Sequence, residues 1–374
     1  AIHHIMNIYF LILLVSSVVM IANAALNSAG KSVYSAAAQL VMPGIVLVAL
    51  LLFGATYGIY AAAYGMLAGL VANLMLALYG LQRWAFLPAW APDMVAALRR
   101  LPLGQYFLLV VASLSSALFV PAASTIAANL PEGSVAIISL GMKILMFITS
   151  VVGMGVATVL LPYFSVVVAR LHHHQAQSDL SFFLLFVTLI SVPATLILTL
   201  LVGPVVKLLF VGSAMTDANI QSLTRVLQYG MAQLPFFGCG LVAIKYILAY
   251  RRAGIILFSS LTGFVLAVAL GVVFSRFLGV GGIALAMTLS MAVSTAILVF
   301  YANYLKQLPF ADSVFIVFNW VVFITLFICL HYQIYIGALI SGVAYLLLSA
   351  GSWDAIIAHT YGNEPSFRYR SPSN

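Results

Sequence analysis

Apolar runs long enough to cross a membrane recur along the whole chain of 374 residues. A helix needs about 20 mostly apolar residues to cross a hydrocarbon core about 30 Å thick. Turns rich in glycine, proline and charge separate the runs. We therefore predict an all-α, polytopic transmembrane helical bundle of about eleven helices. The runs lie at residues 6–26, 36–56, 59–81, 104–128, 135–161, 181–202, 226–249, 254–275, 281–304, 313–333 and 335–353.

Charged residues are too few to cover a surface that faces water. They make up 6% of the chain, against 64% hydrophobic residues, whereas soluble domains carry about 25% charged residues. The net charge of +8 does not indicate nucleic acid, because the longest basic runs, Arg99-Arg100 and Arg251-Arg252, hold two residues each and nucleic-acid binders cluster their basic residues. We expect membrane lipids as partners and no nucleic acid.

The basic residues between the runs fall mainly on one side of the membrane. Ten lie on that side: Lys31, Arg83, Arg99, Arg100, Arg170, Arg251, Arg252, Lys306, Arg368 and Arg370. The other side has Lys207, Arg225 and Arg276. Because cytoplasmic loops carry the excess of lysine and arginine, we expect a cytoplasmic C-terminus and residue 1 on the outer side.

Lys143 is the cation placed deepest in a predicted span. It lies about ten residues after Glu132 and has apolar residues on both sides. A charge at mid-membrane is costly and usually faces a cavity, a partner charge or a substrate; the alternative is a lysine that extends to the headgroups. No Asp or Glu occupies the centre of a predicted span. A cavity with positive charge alone favours an anionic substrate, and the membrane-borne anion that fits it is a phosphate or pyrophosphate head group.

Lys245 is a second intramembrane candidate, although it lies close enough to Arg251 to reach the headgroups. The two cysteines, Cys239 and Cys329, show no metal-ligand spacing. The sequence also contains no nucleophile–base pair and no phosphate-binding loop. We therefore expect no catalytic residues, no metal and no cofactor, and a transporter rather than an enzyme.

Several segments resemble the MurJ (MviN) lipid II flippase family, which belongs to the multidrug/oligosaccharidyl-lipid/polysaccharide exporter superfamily. The resemblance rests on Leu130-Pro131-Glu132-Gly133-Ser134-Val135, Lys143, Gly155-Val156-Ala157-Thr158-Val159-Leu160-Leu161-Pro162, Gly203-Pro204, Lys245-x-x-x-Ala249-Tyr250 and Ala25-Leu26-Asn27 with Lys31.

The resemblance implies transport of lipid II, an undecaprenyl-pyrophosphate-linked peptidoglycan precursor, across the bacterial cytoplasmic membrane by alternating access. Lys143 falls where the family has an arginine, so we carry substrate binding to it, with Lys245 and Lys31 as further candidates. Members of the family have fourteen helices and a cytoplasmic N-terminus. Eleven helices that start outside then correspond to a chain without the first three, an expectation that agrees with the charge count.

The corresponding domains are a remainder of the N-terminal lobe at 1–103, the first four helices of the C-terminal lobe at 104–249, the C-terminal helices at 250–360, and a polar tail at 361–374. Two alternatives stay open. One is a flippase for a polysaccharide or O-antigen precursor linked to lipid. The other is a non-transporting membrane scaffold, whose partners would be cell-wall synthesis enzymes. We expect a monomer that binds a lipid-linked anionic substrate.

Overall fold

The computed structural model describes residues 2–28, 32–83, 103–169, 173–212 and 215–306, and in these ranges it contains helices and no strands. The helices are α1 (Ile2–Ser28), α2 (Ser32–Tyr57), α3 (Ile59–Arg83), α4 (Leu103–Ala117), α5 (Phe119–Ala127), α6 (Ser134–Ala169), α7 (His173–Leu209), α8 (Asp217–Met231), α9 (Leu234–Ala249), α10 (Ala253–Leu278) and α11 (Val280–Lys306).

Seven helical segments of the described chain are long and apolar enough to cross a membrane. They are Met6–Leu26, Tyr60–Arg83, Leu103–Ala127, Ser178–Leu209, Asp217–Ala249, Ala253–Leu278 and Val280–Ala302. Val41–Tyr57 and Ser134–Ser150 are shorter apolar helical segments. The prediction of a multi-pass helical membrane protein is confirmed, whereas the number of eleven spans stays a prediction. The runs at 313–333 and 335–353 lie outside the described residues.

Two of the predicted runs contain a helix break. The run at 104–128 forms α4 and α5, which meet at Leu118. The run at 226–249 belongs to α8 and α9, and α8 begins nine residues before the run, at Asp217. Thr216 caps α8, because its hydroxyl accepts a hydrogen bond from the backbone N–H of Asn219 at 3.3 Å. Polar residues dominate the first turns of α8, so an apolar run could not reveal its start.

The described chain forms two compact units, Ala1–Leu101 and Pro102–Asn374. In the first unit, α3 packs closely against α2. A Cβ atom added at Gly65 would lie 2.8 Å from Ala49 Cβ, and one at Gly69 would lie 2.9 Å from the Met42 carbonyl oxygen. The Gly65-x-x-x-Gly69 spacing therefore serves close helix packing.

In the second unit, α6 and α8 run parallel. Gly141 of α6 lies against Val226 of α8, and four residues further along both helices Leu145 lies against Gly230. The two larger of three hydrophobic clusters form most of the core of this unit. One is formed mainly by α6, α8 and the first turns of α11. The other surrounds Tyr246 of α9 and includes Phe164 of α6.

The hairpin between α10 and α11 needs glycine at two positions. Gly279 has φ +57°, a conformation that favours glycine. A Cβ atom at Gly282 would overlap the carbonyl group of Phe274. The Gly279-Val280-Gly281-Gly282 sequence thus forms a tight turn between the two helices.

Candidate functional site

Lys143 lies on the exposed face of α6. The packed face of α6 carries Met142 and Leu145, which are 5% and 2% exposed. Lys143 is exposed, as are Phe147 and Ser150 along the same side of the helix. Helical spacing places these exposed residues opposite the packed face.

Of the other two candidate lysines, the structure describes Lys245 alone. Lys245 lies in the last turns of α9, where it is half-buried beside the fully buried Tyr246. Lys31 lies outside the described residues. The structure does not bring Lys143 and Lys245 into one described cavity, so substrate binding by the three lysines stays a prediction.

The second unit contains a partly open cavity of about 580 Å³, lined by α4, α5, α6, α9, α10 and α11 and by the turn before α9. This volume is in the range of pockets that hold small ligands. Met142 and Met146 line it from α6, although Lys143 does not. Gln233 and Leu248 line it at opposite ends of α9. Its wall contains no Lys, Arg, Asp or Glu among the described residues.

Six of the seven hydroxyl groups that line the cavity donate to backbone carbonyl oxygens of the protein. Ser259 Oγ donates to the Ser294 carbonyl oxygen at 2.8 Å, and Ser294 Oγ donates to the Ser259 carbonyl oxygen at 3.0 Å. Ser116 and Ser260 each donate to a carbonyl oxygen of their own helix, at 3.1 and 3.0 Å. The wall is therefore uncharged and has few groups left to bind water.

The break between α8 and α9 lies at the edge of this cavity, at Gln233. Pro235 follows the break and has no backbone N–H, so it cannot bond to the carbonyl four residues earlier. Two threonines of α11 donate hydrogen bonds on either side: Thr288 to the Tyr229 carbonyl oxygen at 2.7 Å and Thr295 to the Phe236 carbonyl oxygen at 2.9 Å.

A proline such as Pro235 within an apolar run is typical of a helix break, but nothing in the run itself indicates these two donors. Thr288 and Thr295 lie seven residues apart, as do their acceptors. A pair of threonines at that spacing, opposite a proline-containing span, is the sequence signal that could have revealed them.

The described acids lie outside the cavity wall. Asp179 is buried and accepts a hydrogen bond of 2.5 Å from the Tyr163 hydroxyl. Glu132 is exposed in the turn before α6. No group of three or more His, Cys, Asp or Glu side chains in the described part of the chain could hold a metal ion.

The family described as "Lipid II flippase MurJ" matches residues 3–352. The chain belongs to the MurJ lipid II flippase family. The resemblance predicted from the sequence is thus confirmed, and with it a transporter of lipid II. The family is one of flippases and not of enzymes. No curated protein sequence gives a significant match to the chain.

Solved structures with the same fold include a MurJ structure, "Lipid II flippase MurJ, inward closed conformation". It has 16% sequence identity and a TM-score of 0.61, over 91% of this chain and 72% of that one. A MATE protein in complex with MaL6 has 14% identity and a TM-score of 0.65, over 78% of this chain and 67% of that one. The Vibrio cholerae MATE transporter VcmN in the bent form has 14% identity and a TM-score of 0.64, over 83% of this chain and 70% of that one.

The turn that carries the MurJ resemblance sets the direction of α6. Gly133 has φ +88°, which favours glycine. Ser134 Oγ donates to the Pro131 carbonyl oxygen at 2.6 Å and closes the turn. Helix α6 starts there, and Lys143 follows nine residues later, about 14 Å along the helix axis.

Proposed function

We propose that the chain carries lipid II from the cytoplasmic to the outer leaflet of a bacterial cytoplasmic membrane by alternating access. The observation that supports this proposal is the match to the MurJ family over residues 3–352. The described membrane-crossing segments carry few charged residues, which is consistent with a substrate whose tail stays in lipid.

Lys143 binds the diphosphate of the substrate in this proposal. Its side chain is exposed on α6, about 14 Å from the start of the helix, where an isolated charge is costly in lipid. A diphosphate would compensate that cost by charge-assisted hydrogen bonds. Because lysine lacks the planar fork of arginine, it acts as a point charge and does not form a bidentate pair.

We infer the orientation from the basic residues near the helix ends. Arg83 at the end of α3 and Arg251 and Arg252 between α9 and α10 face the cytoplasm. Lys207 near the end of α7 and Arg276 near the end of α10 face outward. The positive-inside rule supports this assignment, which leaves the C-terminus cytoplasmic.

Depletion of the protein in its host, followed by mass spectrometry of the lipid-linked precursors, tests the proposed substrate. We expect lipid II to accumulate, because its consumption on the outer side requires transport. Accumulation of an O-antigen or other polysaccharide precursor in its place would assign the chain to that substrate. A normal precursor profile, combined with capture of cell-wall enzymes, would replace transport by the scaffold function.

A further inference from the structure

The cavity of the second unit is lined mainly by helices that are long and apolar enough to cross a membrane. Its walls belong to the segments Leu103–Ala127, Asp217–Ala249, Ala253–Leu278 and Val280–Ala302, together with α6. A cavity between such helices lies largely at the depth of the hydrocarbon core. The available occupants at this depth are water, a lipid chain or the chain of a lipid-linked molecule.

The cavity is long in the direction of α9. Gln233 and Leu248 both line it and are fifteen residues apart, which corresponds to about 22 Å along a helix. The hydrocarbon core of a bilayer is about 30 Å thick. An extended chain of a membrane lipid matches a cavity of this length better than a compact molecule does.

Water is a poor occupant of this cavity. A buried water needs two to four polar partners, and the hydroxyls of Ser259, Ser294 and Thr295 already donate to backbone carbonyls. An empty cavity would lose dispersion contacts along its whole wall. Four methionines line the cavity, and their flexible thioethers adapt to an irregular apolar ligand; they are Met142, Met146, Met287 and Met291.

The α4 and α6 walls give access to the cavity. Ser113 of α4 and Met146 of α6 both line it and are both exposed, Met146 by 54%. We propose that the cavity binds one aliphatic chain of a membrane lipid, which enters between α4 and α6 and lies along α9. The chain is a prenyl or an acyl chain, since the wall selects for hydrocarbon and makes no charged contact that would distinguish their head groups.

Photolabelling of the full chain in nanodiscs tests this proposal. One arm contains phosphatidylglycerol with a diazirine in one acyl chain, and the other contains a polyprenyl diphosphate with a diazirine in its prenyl chain. After irradiation and digestion, mass spectrometry locates the labelled residues. We expect label on Met287 and Met291, which line the cavity from α11.

Two variants at the opening and one control make the test specific. Met146→Trp and Ser113→Phe place bulk at exposed positions of the cavity wall, so the packed cores are left intact. We expect each to reduce labelling of Met287 at least fivefold. Phe147→Trp is the control, because Phe147 is 70% exposed, follows Met146 directly and does not line the cavity. It should leave the labelling unchanged.

Each outcome is decisive. Label from the prenyl probe alone identifies the lipid-linked substrate as the source of the chain, and label from the acyl probe alone identifies phospholipid. Absence of label from Met287 and Met291 with both probes overturns the proposal. The proposal is also overturned if Ser260→Cys reacts with a membrane-impermeant maleimide as fast as a fully exposed cysteine does. That result would mean that water fills the cavity.

Discussion

Ser259 and Ser294 exchange hydrogen bonds across the contact between α10 and α11, since each hydroxyl donates to the backbone carbonyl oxygen of the other residue. Both serines also line the cavity. In lipid, polar contacts of this kind hold helices together where the hydrophobic effect cannot, because the surrounding chains are as apolar as the side chains. The pair therefore fixes one wall of the cavity.

Ser259→Ala should weaken the contact between α10 and α11. Hydrogen bonds between membrane helices contribute about 0.6 kcal/mol on average, so we expect a loss of about that size in the free energy of unfolding in detergent micelles. Ser260→Ala is the matched control, because its hydroxyl bonds only to Leu257 of the same helix. An equal loss of unfolding free energy in the two variants would show that the hydrogen bond between α10 and α11 contributes no more than the one within α10.

Gly263→Ala should destabilise the same contact through a clash. A Cβ atom at Gly263 would overlap Ser294 Oγ. We expect a loss of about 1–3 kcal/mol, typical of overpacking. Addition of Ser294→Ala removes the overlapping oxygen, so the double variant should be more stable than the sum of the two single effects predicts. Strict additivity in the same unfolding measurement would contradict this geometry.

Gly69→Ala should destabilise the first unit, whereas Gly54→Ala should not. The added Cβ at Gly69 would meet backbone atoms of Met42 at 2.9 and 3.0 Å, and backbone cannot easily move aside. At Gly54, also within a helix, no atom lies within 4 Å, so alanine should stabilise the helix by up to about 1 kcal/mol. Thermal unfolding in detergent measures both changes, and a shift of the same sign in both would refute the close approach of α2 and α3.

Lys143→Ala should reduce transport of labelled lipid II in proteoliposomes at least tenfold. A hydrogen bond to a charged group contributes about 1.5–3 kcal/mol, and each 1.4 kcal/mol corresponds to a factor of ten. Lys143→Arg keeps the charge and should lose no more than about twofold. Lys207→Ala removes an exposed cation near the end of α7 and serves as the control. If Lys143→Ala transports as well as this control, Lys143 has no part in the mechanism.

Cysteine labelling in intact cells should report the proposed orientation. Starting from a variant with Cys239 and Cys329 replaced by serine, we place single cysteines at Arg252 and Phe277, both exposed near opposite ends of α10. Phe277→Cys should react with a membrane-impermeant maleimide added outside. Arg252→Cys should react only after permeabilisation. The reverse pattern would invert the topology.

Hydropathy predicted the membrane-crossing part of the fold because lipid imposes a simple requirement on each span. It could not predict where the helices extend beyond the lipid. Helix α7, for example, begins at His173, eight residues before the run at 181–202, in a polar sequence. Outside the hydrocarbon core a helix needs no apolar side chains, so composition does not mark its ends.

The candidate site was only partly predictable, for a related reason. A charge such as Lys143 is conspicuous in an apolar run, and the sequence points to it directly. The uncharged cavity depends on which faces of α4, α6, α9 and α11 meet. Serines and methionines are common in membrane helices, so their presence alone does not reveal a cavity. Only the register between helices brings Gln233 and Met291 to the same wall.

The break at Gln233 does not give α8 and α9 the freedom to bend independently of their neighbours. Thr288 bonds to Tyr229 before the break and Thr295 bonds to Phe236 after it. Helix α11 therefore restrains the angle between α8 and α9. A change of the angle between α8 and α9 must stretch one of these attachments or carry α11 along. Motion at this joint therefore reaches the Gly279–Gly282 hairpin and α10, and the three spans respond as one mechanical element.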